Sequence, residues 1–161
     1  MRDKILIPQL YEKRFPDQYE CLEKGDPRAI HGRDTLMFGG QMSVDEKIVH
    51  WPKKPDGTPR IDPYTAYAFE LMSNIVPGRE KLGWMVTNIV TYLVYCFASL
   101  DENELQVHVL PFRRLQKWFL AQDHSRWHLH TTDEINKAQC RIVPFIDVPI
   151  PALRFHLKVA S

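Results

Sequence analysis

RDTLMFGGQMSVDEKIV, residues Arg33 to Val49, decides how the rest of the chain is read. It predicts two short strands joined by a tight turn. Asp34-Thr35-Leu36-Met37-Phe38 is largely apolar and ends at Gly39-Gly40, a pair that accepts positive φ without steric cost. Val44 to Val49 then follows a period of two. Asp45 and Lys47 fall on one face, and Val44, Glu46 and Ile48 fall on the other. A carboxylate and an ammonium side by side, a hairpin away from a second carboxylate at Asp34, are the inventory of a divalent-metal site with an adjacent lysine. The bland alternative is a solvated edge hairpin whose Asp45–Lys47 ion pair contributes about 0–1 kcal/mol.

Working outward, the 161 residues suit one domain, residues 1–161, large enough to bury a substantial core. A composition of 44% hydrophobic and 25% charged residues is that of an ordinary globular protein. With a net charge of +1 there is no global field to attract nucleic acid or a membrane, so any such contact must rest on local patches. Cys21, Cys96 and Cys140 are odd in number and lack CxxC spacing. They argue against a disulfide framework or a cysteine zinc site and favour a reducing, cytoplasmic setting. The amino-terminal stretch is too polar for a signal peptide. Leu82 to Leu100 carries no charge, but its threonines, tyrosines and β-branched residues suit a buried strand better than a membrane span.

In chain order, Pro16 interrupts any continuous helix near the start. Asp17-Gln18 predicts a fresh helix with Tyr19 and Leu22 on one face, stopped by Gly25-Asp26-Pro27. Trp51 to Pro63 holds four prolines and Asp56-Gly57, a loop or hairpin tip. Tyr64 to Met72, Val90 to Phe97 and Leu105 to Leu110 predict strands, the second of them central and covered on both sides. Pro111 to Gln122 predicts a helix, with Phe112, Leu115 and Phe119 on its apolar stripe and Arg113, Arg114 and Lys117 opposite. Arg141 to Val148 reads as a strand and Pro151 to Ala160 as a closing helix. Together these imply an α/β (α+β) fold around a mixed sheet flanked by helices.

Phosphodiester hydrolysis requires a hard cation held by carboxylate oxygens, and benefits from a fixed positive charge near the attacked phosphorus. Asp34, Asp45, the backbone carbonyl of Glu46 and Lys47 match these needs. The pattern, an Asp on one strand and Asp45-Glu46-Lys47 on the next, resembles the PD-(D/E)XK nuclease superfamily. Arg33 stands where that family usually has Pro, and the spacing of ten residues is short. Ala68-Phe69-Glu70-Leu71, Gly83-Trp84 and the strand that follows add a likeness to small bacterial or phage proteins of that fold.

The resemblance covers about residues 10–120 and leaves 123–161 as a carboxy-terminal extension. It implies a restriction-endonuclease-like fold and a metal-dependent nuclease acting on DNA or RNA. Mg²⁺ or Mn²⁺ would be held by Asp34, Asp45 and Glu46. Asp34, Asp45, Lys47 and a helix-borne glutamate, Glu20, would be catalytic. The competing class is a non-catalytic module of the same fold, binding nucleic acid or protein as a homodimer or as a subunit of a larger complex. Arg33, Lys53, Lys54, Arg113, Arg114 and Lys117 are the basic candidates for a phosphate backbone.

Two further features stand apart. Glu70 lies in an apolar strand, where a carboxylate is costly unless it is paired or metal-bound. His108, His124, His128 and His130 could ligate a transition metal, but no cysteine or HExxH pattern accompanies them, so polar loop residues or phosphate contacts are the favoured reading.

Overall fold

The computed structural model describes residues 10–12, 14–23, 25–30, 32–50, 65–98, 104–132 and 137–158. The expected loop at Trp51–Pro63, with Lys53 and Lys54, lies outside the described residues. It is an α+β architecture of two sheets with few helices. The larger sheet runs β1-β2-β3-β6-β7-β10, where β1 is Tyr19–Cys21, β2 is Thr35–Met37 and β3 is Met42–His50. The others are β6 (Tyr92–Ala98), β7 (Glu104–Pro111) and β10 (Leu153–Lys158). Every neighbouring pair in it is antiparallel except β3 and β6, so the sheet is mixed. The smaller sheet, β5-β4-β9-β8, is antiparallel throughout. It consists of β4 (Ala66–Asn74), β5 (Lys81–Leu82), β8 (His128–Thr131) and β9 (Gln139–Pro144).

The hairpin at residues 33–49 forms as its sequence predicts. β2 and β3 pair with Thr35 opposite Val44, and the turn between them carries positive φ at Phe38, Gly39 and Gly40. β6 is the central strand, buried along nearly its whole length between β3 and β7. One of its faces sends Leu93, Tyr95 and Phe97 into the core shared with Tyr67 and Phe69 of β4 and Val143 of β9. Its other face sends Val94, Cys96 and Ala98 into a second core with Val44, Val107 and Leu157, which the helical residues Leu10 and Tyr11 help to cover. Besides the short helical stretch that includes Leu10–Glu12, the described residues hold two α-helices, α1 (Trp84–Thr87) and α2 (Phe112–Leu120). α2 buries Phe112, Leu115 and Phe119 against the first core, the stripe its sequence predicts. No helix among the described residues is long and apolar enough to cross a membrane.

Two expectations are corrected. The helix predicted to begin at Gln18 is instead strand β1, with Tyr19 opposite Met37 and Cys21 opposite Thr35. Between Gln18 and the stop at Gly25 there is room for no more than about two helical turns, too few to hold a helix against an open sheet edge that offers hydrogen bonds. The closing helix predicted over Pro151–Ala160 is strand β10, in register with β7 from Leu153↔Val109 to Lys158↔Glu104. Leu153 and Leu157 are four apart, but Leu153, Phe155 and Leu157 are also two apart, and ladder pairing with β7 selects the second period. The last quarter of the chain therefore supplies strands to both sheets: β8 and β9 complete the smaller one and β10 closes the larger one.

Candidate functional site

Asp34 sits at the mouth of β2 in a continued ladder. Its N–H bonds the Val44 carbonyl, and its own carbonyl accepts from Leu22. Asp34 thus lies just beyond the Thr35↔Val44 pair, with Asp45 the next residue on the facing strand. The two carboxyls are electrostatic neighbours there, and the Glu46 N–H donates to Asp34 Oδ2 at 2.9 Å.

Asp45 is almost wholly buried, 1% exposed. Lys47 Nζ lies 2.5 Å from its Oδ1, and Asn88 Nδ2 donates to its Oδ2 at 2.8 Å. Burial pushes the Asp45 carboxyl up to about 7. The Lys47 ammonium opposes that rise, and the neighbouring Asp34 adds to it. A buried carboxyl beside a second one tends to keep its proton until a cation replaces it.

Lys47 is held from three sides. Asp45 takes its ammonium, the ring of Trp84 lies 5.3 Å below it, and its field reaches Glu70. Glu70 Oε1 accepts from the Trp84 N–H at 3.4 Å, and half-burial pushes its carboxyl up. Gly83 lets this contact form, because a Cβ there would lie 2.4 Å from the Glu70 carbonyl oxygen.

Glu46 turns its side chain away, as the period of two requires. Its Oε1 accepts from the Thr35 hydroxyl at 2.6 Å. Burial raises this carboxyl too, to about 7. The Tyr11 hydroxyl lies near it without meeting the geometry of a hydrogen bond. Only the backbone carbonyl of Glu46 is on offer to a metal shared with Asp34 and Asp45.

Asn88 is the member that reading the sequence missed. It comes from the loop after α1, 43 residues beyond Asp45, and a lone Asn in an apolar stretch gives no local signal. Two contacts fix its place. Gln116 of α2 donates to the carbonyls of Met85, Val86 and Asn88 at 3.0, 3.4 and 3.3 Å. Gly32, at φ +79°, packs so closely that a Cβ there would overlap the Asn88 amide.

Glu20 is not brought into this cluster. It lies on strand β1, not on a helix, and its exposed carboxylate holds the Arg28 guanidinium in a two-pronged pair at 2.6 and 3.0 Å. Among the basic candidates, Arg33, Arg113 and Arg114 line one cleft of about 420 Å³. Lys117, exposed on α2, does not line it. The histidines are dispersed. His108 is buried between the sheets with Nδ1 2.7 Å from the Tyr67 hydroxyl and Nε2 3.0 Å from Gln106 Nε2, and burial lowers it to about 4. His124 stacks on Phe119, and His128 and His130 lie exposed on β8.

Among the described residues no three His, Cys, Asp or Glu side chains are arranged around one point. A hard cation of the Mg²⁺ type does not require three, since it keeps several waters and is often held by one or two carboxylates. Asp34 and Asp45, with a carbonyl alongside, suit such an ion. Asp34 adds to the rise in Asp45 that burial imposes, a like-charge repulsion that a dication would relieve. Comparison with known proteins brings no match, whether to a family model, a curated protein or a solved structure.

Proposed function

We propose that this chain is a metal-dependent nuclease that hydrolyses phosphodiester bonds in DNA or RNA, on a restriction-endonuclease-like core of the PD-(D/E)XK kind. One observation carries the reading. The buried Asp45 carboxyl carries the Lys47 ammonium, and the Asp34 carboxyl, held by the Glu46 N–H, is near enough to raise its proton affinity. A surface ion pair would leave these groups solvated, whereas here the acid is buried and its proton affinity raised. Asp34, Asp45 and the Glu46 carbonyl are the residues that would hold Mg²⁺ or Mn²⁺. When bound, such an ion activates water and neutralises charge on the phosphate.

The protein's own residues do the rest. Asn88 fixes the orientation of the Asp45 carboxylate, so the acid presents one set of lone pairs to the ion. Lys47 holds a positive charge where charge develops on the attacked phosphate. The Trp84 ring restricts its swing and shields it from water. Glu70, within reach of the Lys47 charge, adds an attraction that helps to orient that ammonium.

A second reading is a non-catalytic module of the same fold within a larger complex. It is favoured by the fact that both Asp45 oxygens already have donors, Lys47 and Asn88, so the cluster is satisfied without a metal. Incubation with single-stranded, double-stranded and branched DNA and RNA in Mn²⁺ separates the two. Cleavage that disappears in Asp45→Ala supports the nuclease. Intact substrates, together with no calorimetric Mn²⁺ binding, sink it.

A further inference from the structure

Beside the acid cluster lies a cleft of opposite character. Arg33, Arg113 and Arg114 converge on it with Ser43 and Thr91, and no carboxylate is among the residues that line it. Three arginines lining one cleft concentrate positive charge there with no carboxylate to balance it. Among the described residues none of the three forms an ion pair or a side-chain hydrogen bond, and the Nε of Arg33 is buried without a partner.

The backbone points the same way. α2 begins at this cleft, and its first turn has no acidic residue and no side-chain cap. Arg113 and Arg114 stand in that first turn, where the helix dipole disfavours cations and favours an anion. An oxyanion seated there would relieve the dipole and the concentration of positive charge together. Arginine forks match phosphate oxygens better than a lysine point charge does.

The cleft abuts the acids without including them. Arg33 precedes Asp34, and Ser43 lies two residues before Asp45 on the same face of β3, roughly 6.8 Å along the strand. Ile89 and Val90, which follow Asn88, form the adjoining wall.

We infer that this three-arginine cleft seats a non-reacting phosphate of a nucleic-acid strand next to the one attacked at Asp34 and Asp45. The inference rests on the proposed hydrolysis and narrows its substrate. A small phosphodiester has no second phosphate to place there, whereas a polynucleotide has one at every step. Phosphate chemistry could also come from free inorganic phosphate, and the test separates the two sources.

Binding of a fluorescein-labelled 12-nucleotide single strand, DNA and RNA in turn, is measured by anisotropy in EDTA at several salt concentrations. Each lost phosphate contact should lower the salt slope by about 0.7. Arg113→Gln/Arg114→Gln, which empties a one-phosphate seat, is expected to lower it by about 0.7 and to weaken binding at least tenfold, and Arg33→Gln to lower it by no more than that. Lys158→Gln, an exposed charge on β10, is the control and is expected to leave the slope unchanged.

A double variant that binds like the wild type, or a control that loses as much per charge, overturns the seat. So does the absence of any strand binding. Inorganic phosphate that binds the wild type as tightly as the strand does overturns the polynucleotide assignment. The two proposals fail separately. Arginine-dependent binding without Mn²⁺-dependent cleavage removes the hydrolysis and keeps the seat. Asp45-dependent cleavage with undiminished binding by the arginine variants does the reverse.

Discussion

Asn88 donates its side-chain amide to Asp45 Oδ2 at 2.8 Å, tying the loop after α1 to the strand that bears the acid. Both residues are buried, so the bond is shielded from competing water. Asn88→Ala leaves one carboxylate oxygen without its donor, a loss of about 1–3 kcal/mol in stability. Removing such an outer partner also weakens metal affinity by about 10–100-fold. Gly32→Ala reaches the same bond from outside, because the new Cβ overlaps the amide and φ is +79° there. Both variants are expected to lose Mn²⁺ affinity by calorimetry. Unchanged affinity in Asn88→Ala would show that the bond does not orient a metal ligand.

The hairpin was legible because its signals are local: a period of two and a glycine pair, all within residues 33–49. Asn88 was not, since its meaning depends on a partner 43 residues away. Glu20 misled for a similar reason. Its helix-like flanks concealed a strand whose pairing partner is β2 and whose charge partner is Arg28, eight residues on. β10 shows the limit of periodicity itself. Leu153 and Leu157 satisfy a helix and a strand alike, and only the edge of β7 decides between them.

Acid should stabilise this protein over part of the neutral range. Burial raises Asp45 and Glu46 to about 7, so from roughly pH 4.5 to 7 the folded state holds two protons that the unfolded state has lost. Buried His108, lowered to about 4, acts oppositely, because the unfolded state binds its proton below about 6.5. Two against one leaves a net gain on acidification, about 1.4 kcal/mol per pH unit for one net proton. Urea unfolding between pH 5 and 8 tests this. The wild type is expected to be most stable toward pH 5–6, with Glu46→Gln much flatter. A wild type whose stability climbs steadily with pH would refute the buried-acid account.

Metal binding should run the other way with pH. A cation at Asp34 and Asp45 must displace the proton that Asp45 keeps below about 7. The rise in melting temperature on adding 5 mM Mn²⁺, by ligand linkage, is therefore expected to be larger at pH 8 than at pH 6. Asp45→Asn, which carries no titrating group there, should show little rise at either pH. An equal rise at both pH values in the wild type would place the ion elsewhere.

Lys47 is where the catalytic and structural readings part. Its ammonium lies 2.5 Å from a buried carboxyl and opposes the proton affinity that burial imposes. Lys47→Met keeps the length of the side chain and its packing on Trp84 but removes the charge. Two consequences follow. Asp45 holds its proton to higher pH, so the Mn²⁺-induced rise in melting temperature should shrink at pH 7 and recover by pH 9. Cleavage should not recover with it. The positive charge near the attacked phosphate is gone at every pH, and one such electrostatic contact is typically worth 10²–10³ in rate. A merely structural Lys47 predicts that cleavage returns together with metal binding as pH rises. Persistent loss at pH 9, in a folded protein saturated with Mn²⁺, assigns the lysine to the chemistry, and full recovery there removes it.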